Sequence, residues 1–137
     1  MVFGLLIGTV DAARDLRARS TLQTDAAHLL DQLAGDVRET RWAHVEANDD
    51  DDHPSLHVKS PGGSTTVYRW DSETQSYLRR TEQMTEKRWA PDDLLIERLH
   101  LGRDDGLARL ELRVSRRVRG TQRRVRLTLS TQVRTLE

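Results

Sequence analysis

The chain has 137 residues, 36% hydrophobic, 32% charged and only 4% aromatic, so one modest core must be filled mainly by leucine and valine. The net charge is zero, but residues 1–60 carry eleven acidic against six basic side chains, and residues 107–137 carry nine arginines against two glutamates. That asymmetry suits electrostatic docking of like subunits in a stack, or binding of a polyanion, while the absence of cysteine excludes disulfides, cysteine zinc sites and a thiol nucleophile.

The chain opens on an apolar stub, Val2-Phe3-Gly4-Leu5-Leu6-Ile7-Gly8-Thr9-Val10. A bilayer span needs about 20 apolar residues, so this stub is too short to cross. It also lacks the basic start and small-residue cleavage site of a secretory signal. It reads either as a helix end tucked on the domain or as the last turns of a longer hydrophobic helix. The second reading is favoured because the helix pattern begins inside the stub with no capping residue ahead of it.

Leu16, Leu22, Ala26, Leu29, Leu30, Leu33 and Val37 then recur mostly at steps of three and four, one stripe of an α-helix. Asp25, Asp31, Gln32, Asp36 and Glu39 fall on its other faces. The helix pattern reaches Trp42 and is expected to end near Val45. Asn48-Asp49-Asp50-Asp51-Asp52-His53-Pro54 is a self-repelling run closed by proline, hence a loop.

Beyond the loop the period falls to two. Leu56–Ser60 and Thr65–Trp70 flank the turn Pro61-Gly62-Gly63-Ser64 as a hairpin. Asp71 to Ser76 is a second turn and Tyr77–Thr81 a third short strand. Glu82 to Asp93 is polar and contains a proline, so it is expected to be irregular, with Trp89 as a candidate contact residue. Leu94–Leu101 is expected to place Leu95, Leu99 and Leu101 on one side before the turn Arg103-Asp104-Asp105-Gly106. Leu107–Ser115 and Arg123–Val133 are the clearest strands, each with one apolar and one charged face.

One helix followed by a run of strands predicts an α+β fold. The expected architecture is a long N-terminal α-helix packed on an antiparallel sheet of about six strands. It forms one domain over 1–137, with the helix in 1–46, the hydrophobic remnant in 1–10 and a β-rich head in 55–137. Leu22, Leu29, Leu33 and Val37 should pack on Leu110, Leu112, Val114, Val125, Leu127 and Leu129. Val2, Phe3, Leu5, Leu6, Ile7, Val10 and Leu16 are left as the candidate assembly interface.

No enzyme constellation is present. The histidines (His28, His44, His53, His57, His100) are dispersed, and no HExxH pair, phosphate loop, dinucleotide fingerprint or nucleophile elbow occurs. Asp49–Asp52 with His53 and His57 lacks the glycine and bidentate glutamate of a calcium loop, so it reads as a solvated acidic loop. No metal and no cofactor are expected. Arg113, Arg116, Arg117, Arg119, Arg123, Arg124 and Arg126 form the sharpest alternative signal, a basic hairpin turning at Gly120-Thr121. With its guanidinium groups expected on one face of both strands, it could hold DNA or another polyanion, although no stacking aromatic lies between Ala90 and Glu137.

Three features carry a resemblance to a known family. The stub leads into Leu16-Arg17-Ala18-Arg19 and Leu29-Leu30-Asp31-Gln32-Leu33-Ala34-Gly35-Asp36-Val37-Arg38. Thr66-Val67-Tyr68-Arg69-Trp70-Asp71 is followed by Tyr77-Leu78-Arg79-Arg80. Val125-Arg126-Leu127-Thr128-Leu129 stands near the C-terminus. Together they resemble a minor subunit of the type IV pilin superfamily, most like the J-type pseudopilins of type II secretion systems. The peptidase site and following acidic residue that mark that family are not in this sequence. The resemblance implies a non-enzymatic subunit of the bacterial inner membrane with a periplasmic head. It would join other pseudopilin subunits through its N-terminal helix and take no small-molecule substrate.

Overall fold

A computed structural model describes residues 2–47 and 52–135, with the side chains of residues 2–11 and of Ala43 outside the description. Helix α1 (Val2–Arg38) is followed by a short 3-10 turn, Trp42–His44, and by eight strands among the described residues. These are β1 (Val45–Ala47), β2 (Leu56–Lys59), β3 (Thr65–Asp71), β4 (Ser76–Thr81), β5 (Met84–Arg88), β6 (Leu94–Asp104), β7 (Leu107–Arg117) and β8 (Arg124–Val133). The α+β class stands. The single sheet of about six strands is replaced by two antiparallel meanders, β1-β2-β3-β4-β5 and β6-β7-β8.

The second half of α1 buries Ala18, Leu22, Ala26, Leu29, Leu30, Leu33, Ala34 and Val37 as one stripe. It lies on β7 and β8, where Ala108, Leu110, Leu112, Val114, Val125 and Val133 are buried and Leu127 and Leu129 are half-buried. Leu16 does not belong to this stripe: it is 71% exposed. Two residues from Ala18, it sits about 200° around a helix of 3.6 residues per turn, on the far side.

The helix also ends earlier than the pattern implied, at Arg38. Thr40 is fully buried and its hydroxyl donates to the Lys59 carbonyl of β2. That anchor pulls the chain off the helix axis and delivers Val45 to Ala47 into register with Val58 to Leu56. β5 escaped the sequence pattern because all five of its residues are exposed. An edge strand with no buried face shows no apolar alternation.

β6 corrects a third expectation. Its buried residues are Leu94, Ile96, Leu99 and Leu101, while Leu95 is half-buried on the other face. The parity switches because the register slips between Ile96 and Arg98, leaving Glu97 as a bulge opposite β7. β6 and β7 join through Asp105-Gly106, both at positive φ (48° and 81°), the two-residue hairpin turn that Asp-Gly favours.

The two sheets share one core cluster with α1. Most of the chain's few aromatics gather in it. Trp70 packs edge-on against Tyr77, Tyr77 against Trp89, and Tyr68 against Trp89, with centroids 5.1, 6.0 and 4.9 Å apart. His53 stacks flat on Trp70 at 3.7 Å and its Nε2 lies 2.7 Å from the Ile96 carbonyl. The Leu99 amide donates to the Asp52 carbonyl at 2.9 Å, so the loop before β2 covers the free edge of β6. Trp89 is thus a buried core residue rather than an exposed contact.

Candidate functional site

Polar side chains fasten α1 to the head along its length. Near its end, Asp36 accepts from the Tyr68 hydroxyl and from Arg79, whose Nη2 lies 3.0 Å away. Tyr68 and Arg79 are direct cross-strand partners on β3 and β4. Burial, then the neighbouring Asp36 carboxylate, pushes the Tyr68 phenol far above its ordinary value. One turn earlier, Trp89 Nε1 donates to Gln32 at 3.0 Å. Two turns earlier again, Arg116 donates to Asp25 at 2.6 Å and to Thr21 at 3.1 Å, and also reaches Asp93 at 3.1 Å. Asp15 then receives Arg123 at 3.0 Å. The hairpin residues that carry the family resemblance therefore do structural work here, locking helix to sheet.

The arginine hairpin divides into three groups. Arg113, Arg117, Arg124 and Arg126 stand on the outer face of the three-stranded sheet, away from α1, as their register opposite Thr128, Arg124, Arg117 and Ser115 requires. Arg124 is bonded to Ser115 and Arg126 to Glu97, each at 3.0 Å. Arg116 has the opposite parity, is buried against α1, and is neutralised by two aspartates. Arg119 and Arg123 belong to the turn between β7 and β8. The expectation of one continuous guanidinium face is corrected accordingly: pleating sends residue 116 inward with residues 108–114.

The turn between β7 and β8 passes close to α1. At Gly120, where φ is +78°, an added Cβ would stand 3.8 Å from the Arg14 guanidinium. Between turn and helix opens a cleft of about 560 Å³. Arg14, Arg17, Ala18 and Thr21 line the helix side, and Asp93, Arg116, Arg117, Arg119 and Gly120 the head side. Steps of three, one and three put those helix residues on one face. Arg116 is already matched by Asp25 and Asp93. The parity of Arg117 gives its side chain to the outer face beside Arg124, which leaves Arg14, Arg17 and Arg119 as the cleft's cations, and among the described residues these form no ion pair. The cleft is therefore strongly cationic. Sequence reasoning included Arg117 and Arg119 but missed Arg14 and Arg17. The signal was available in basic residues three apart immediately after the apolar stub.

Of the candidate assembly interface, Leu16 is exposed on α1. The side chains of Val2, Phe3, Leu5, Leu6, Ile7 and Val10 lie outside the described residues, although their backbone is helical. Asn48 to Asp51 of the acidic run also lie outside them. No group of three or more metal-ligating side chains occurs among the described residues. Among the described residues no helix is long and apolar enough to cross a membrane.

On the first sheet, Arg69 of β3 pairs with Glu86 of β5 at 2.7 Å. The hydrogen bond from Arg69 holds the Glu86 carboxyl below its usual range. Asp71 is likewise held low, by the Thr74 hydroxyl and then the Glu73 amide, which fixes the β3–β4 turn. The first contact spans β4 to tie β3 to β5 and the second closes a turn, and both face solvent.

No family model, curated protein or solved structure matches the chain.

Proposed function

We propose that the chain is a non-enzymatic structural subunit of a pilin-like assembly, most like a minor pseudopilin of a secretion system. On this reading the head sits in the periplasm, and α1 joins neighbouring subunits and, in the full-length form, the inner membrane. The observation that carries it is the division of labour along α1. From Ala18 onward the helix buries a stripe against the sheets. Ahead of that point it continues as helix back to Val2, through an apolar sequence and the exposed Leu16. At a rise of 1.5 Å per residue, the sixteen positions before Ala18 make a rod about 24 Å long. A rod with an apolar end and a head fixed to its other half suits lateral packing of helices.

The test is a photo-crosslinker, benzoylphenylalanine, placed at Leu16 and, as a control, at Gln83 in the β4–β5 turn. In the cell that makes the protein, position 16 should give adducts with other subunits whose chains begin in an apolar helix, and position 83 should not. Adducts at position 83 alone, or none at position 16, would sink the reading.

A second reading keeps the basic hairpin as a polyanion-binding module for DNA. It is supported by the shared outer face of Arg113, Arg117, Arg124 and Arg126. Salt-dependent retention on heparin that an Arg113→Glu/Arg117→Glu variant loses would favour it.

A further inference from the structure

We propose that the cleft between α1 and the β7–β8 turn receives the phosphate of an anionic lipid headgroup at the bilayer surface. The proposal rests on the reading of the apolar stub as the membrane-facing end of the helix. Two placements carry it. First, Arg14 lies four residues past Val10, about 6 Å along the helix axis, and Thr21 closes the cleft about 10 Å further along it. The cationic groups thus stand just beyond the apolar end, at the depth where headgroup phosphates lie when that end is buried. Second, the part of the head nearest to that end is the arginine-bearing turn, fixed there by Arg123 on Asp15 at 3.0 Å and by the approach of Gly120 to Arg14.

The chemistry of the cleft agrees. Guanidinium groups bind phosphate oxygens in bidentate fashion, and Arg14, Arg17 and Arg119 carry no ion pair among the described residues to compete. A volume of about 560 Å³ holds a single headgroup. Single-stranded nucleic acid would seek stacking aromatics, and none of the residues lining the cleft is aromatic.

The experiment is co-sedimentation of the 137-residue chain with vesicles of phosphatidylcholine alone and with added phosphatidylglycerol. Three proteins are compared: the parent, Arg14→Glu/Arg119→Glu, and Phe3→Asp/Leu6→Asp. Circular dichroism checks that each is folded. The parent should prefer the anionic vesicles. The cleft variant should lose that preference by at least about 25-fold, about fivefold for each cation removed, while keeping its binding to neutral vesicles. The stub variant should lose binding to neutral vesicles. An anionic preference unchanged in the cleft variant overturns the proposal and leaves the membrane reading standing. Neutral-vesicle binding that is absent or indifferent to the stub variant, with the anionic preference still lost in the cleft variant, overturns the membrane reading and leaves a phosphate cleft. Inorganic phosphate that abolishes the preference at millimolar concentration overturns lipid in favour of the free ion. Tighter binding of a single-stranded oligonucleotide, lost in the same cleft variant, assigns the cleft to nucleic acid instead.

Discussion

Asp36, Tyr68 and Arg79 form a closed triad, in which each is the hydrogen-bond partner of both others. Tyr68→Phe removes one donor and leaves Asp36 with Arg79, so it should cost about 1–2 kcal/mol. Asp36→Ala strips a cation and a buried phenol of their shared acceptor. It should cost more, about 2–3 kcal/mol, less than a fully buried pair because Asp36 and Arg79 keep some solvent. Urea denaturation ranks the two, and the reverse order would mean that Arg79 finds another partner. The phenol also makes a pH prediction. Its ionisation is raised by burial first and then by Asp36. Below pH about 9, a unit under the pKa of an unfolded tyrosine, both states hold the proton and the contribution is complete. Above it, the unfolded chain releases the proton and the folded chain does not, so stability falls as pH rises. Tyr68→Phe should therefore flatten the decline in urea midpoint between pH 9 and 11, and parallel curves for the two proteins would contradict this.

Strand β6 shows how an element can be placed correctly and its faces misassigned. Leu94 and Ile96 point into the core, and so do Leu99 and Leu101, a change of parity that one bulged residue supplies. Deleting Glu97 restores unbroken alternation: Ile96 inward, Arg98 outward, Leu99 inward. It also leaves the Ile96 carbonyl and Leu99 amide two residues apart, on the same free edge, where His53 and Asp52 meet them. The loss is mainly the exposed pair between Arg126 and Glu97, so the deletion should cost less than about 2 kcal/mol. Deleting His100 must instead turn Leu101 or the preceding leucines to solvent, and should leave little folded protein in a thermal melt. Equal damage from both deletions would mean that the bulge itself is needed. The same logic explains what the sequence could reveal. The β2–β3 hairpin, the Asp-Gly turn, β7 and β8 were legible because each pairs a turn signal with clean alternation. β1 was hidden inside a helical pattern that a single buried threonine terminates. β5 has no buried face to register. In the candidate site, the arginines were legible as composition, and Arg116 was separable by parity. The cleft was not legible, since it depends on the β7–β8 turn meeting a helix about a hundred residues earlier in the chain.

At the scale of the whole molecule, α1 has two halves with different duties. Residues from Ala18 to Val37 supply one wall of the core, whereas Arg14 and Asp15 are the first described side chains to meet the head. If the first part of the rod serves assembly and a membrane surface, the head should not need it to fold. Removal of residues 1–13 should then change stability by no more than about 0.5 kcal/mol, the range of substitutions away from any packed feature. Leu33→Ala, in the same helix and fully buried, should cost about 2–5 kcal/mol. The truncated protein should meanwhile fail to sediment with neutral vesicles and fail to crosslink through position 16. Urea titrations of the three proteins test the division directly. A loss above about 2 kcal/mol on truncation would place the apolar stub on the head as part of its core. In that case the stub would be unavailable to neighbours, and the assembly reading would fall with it.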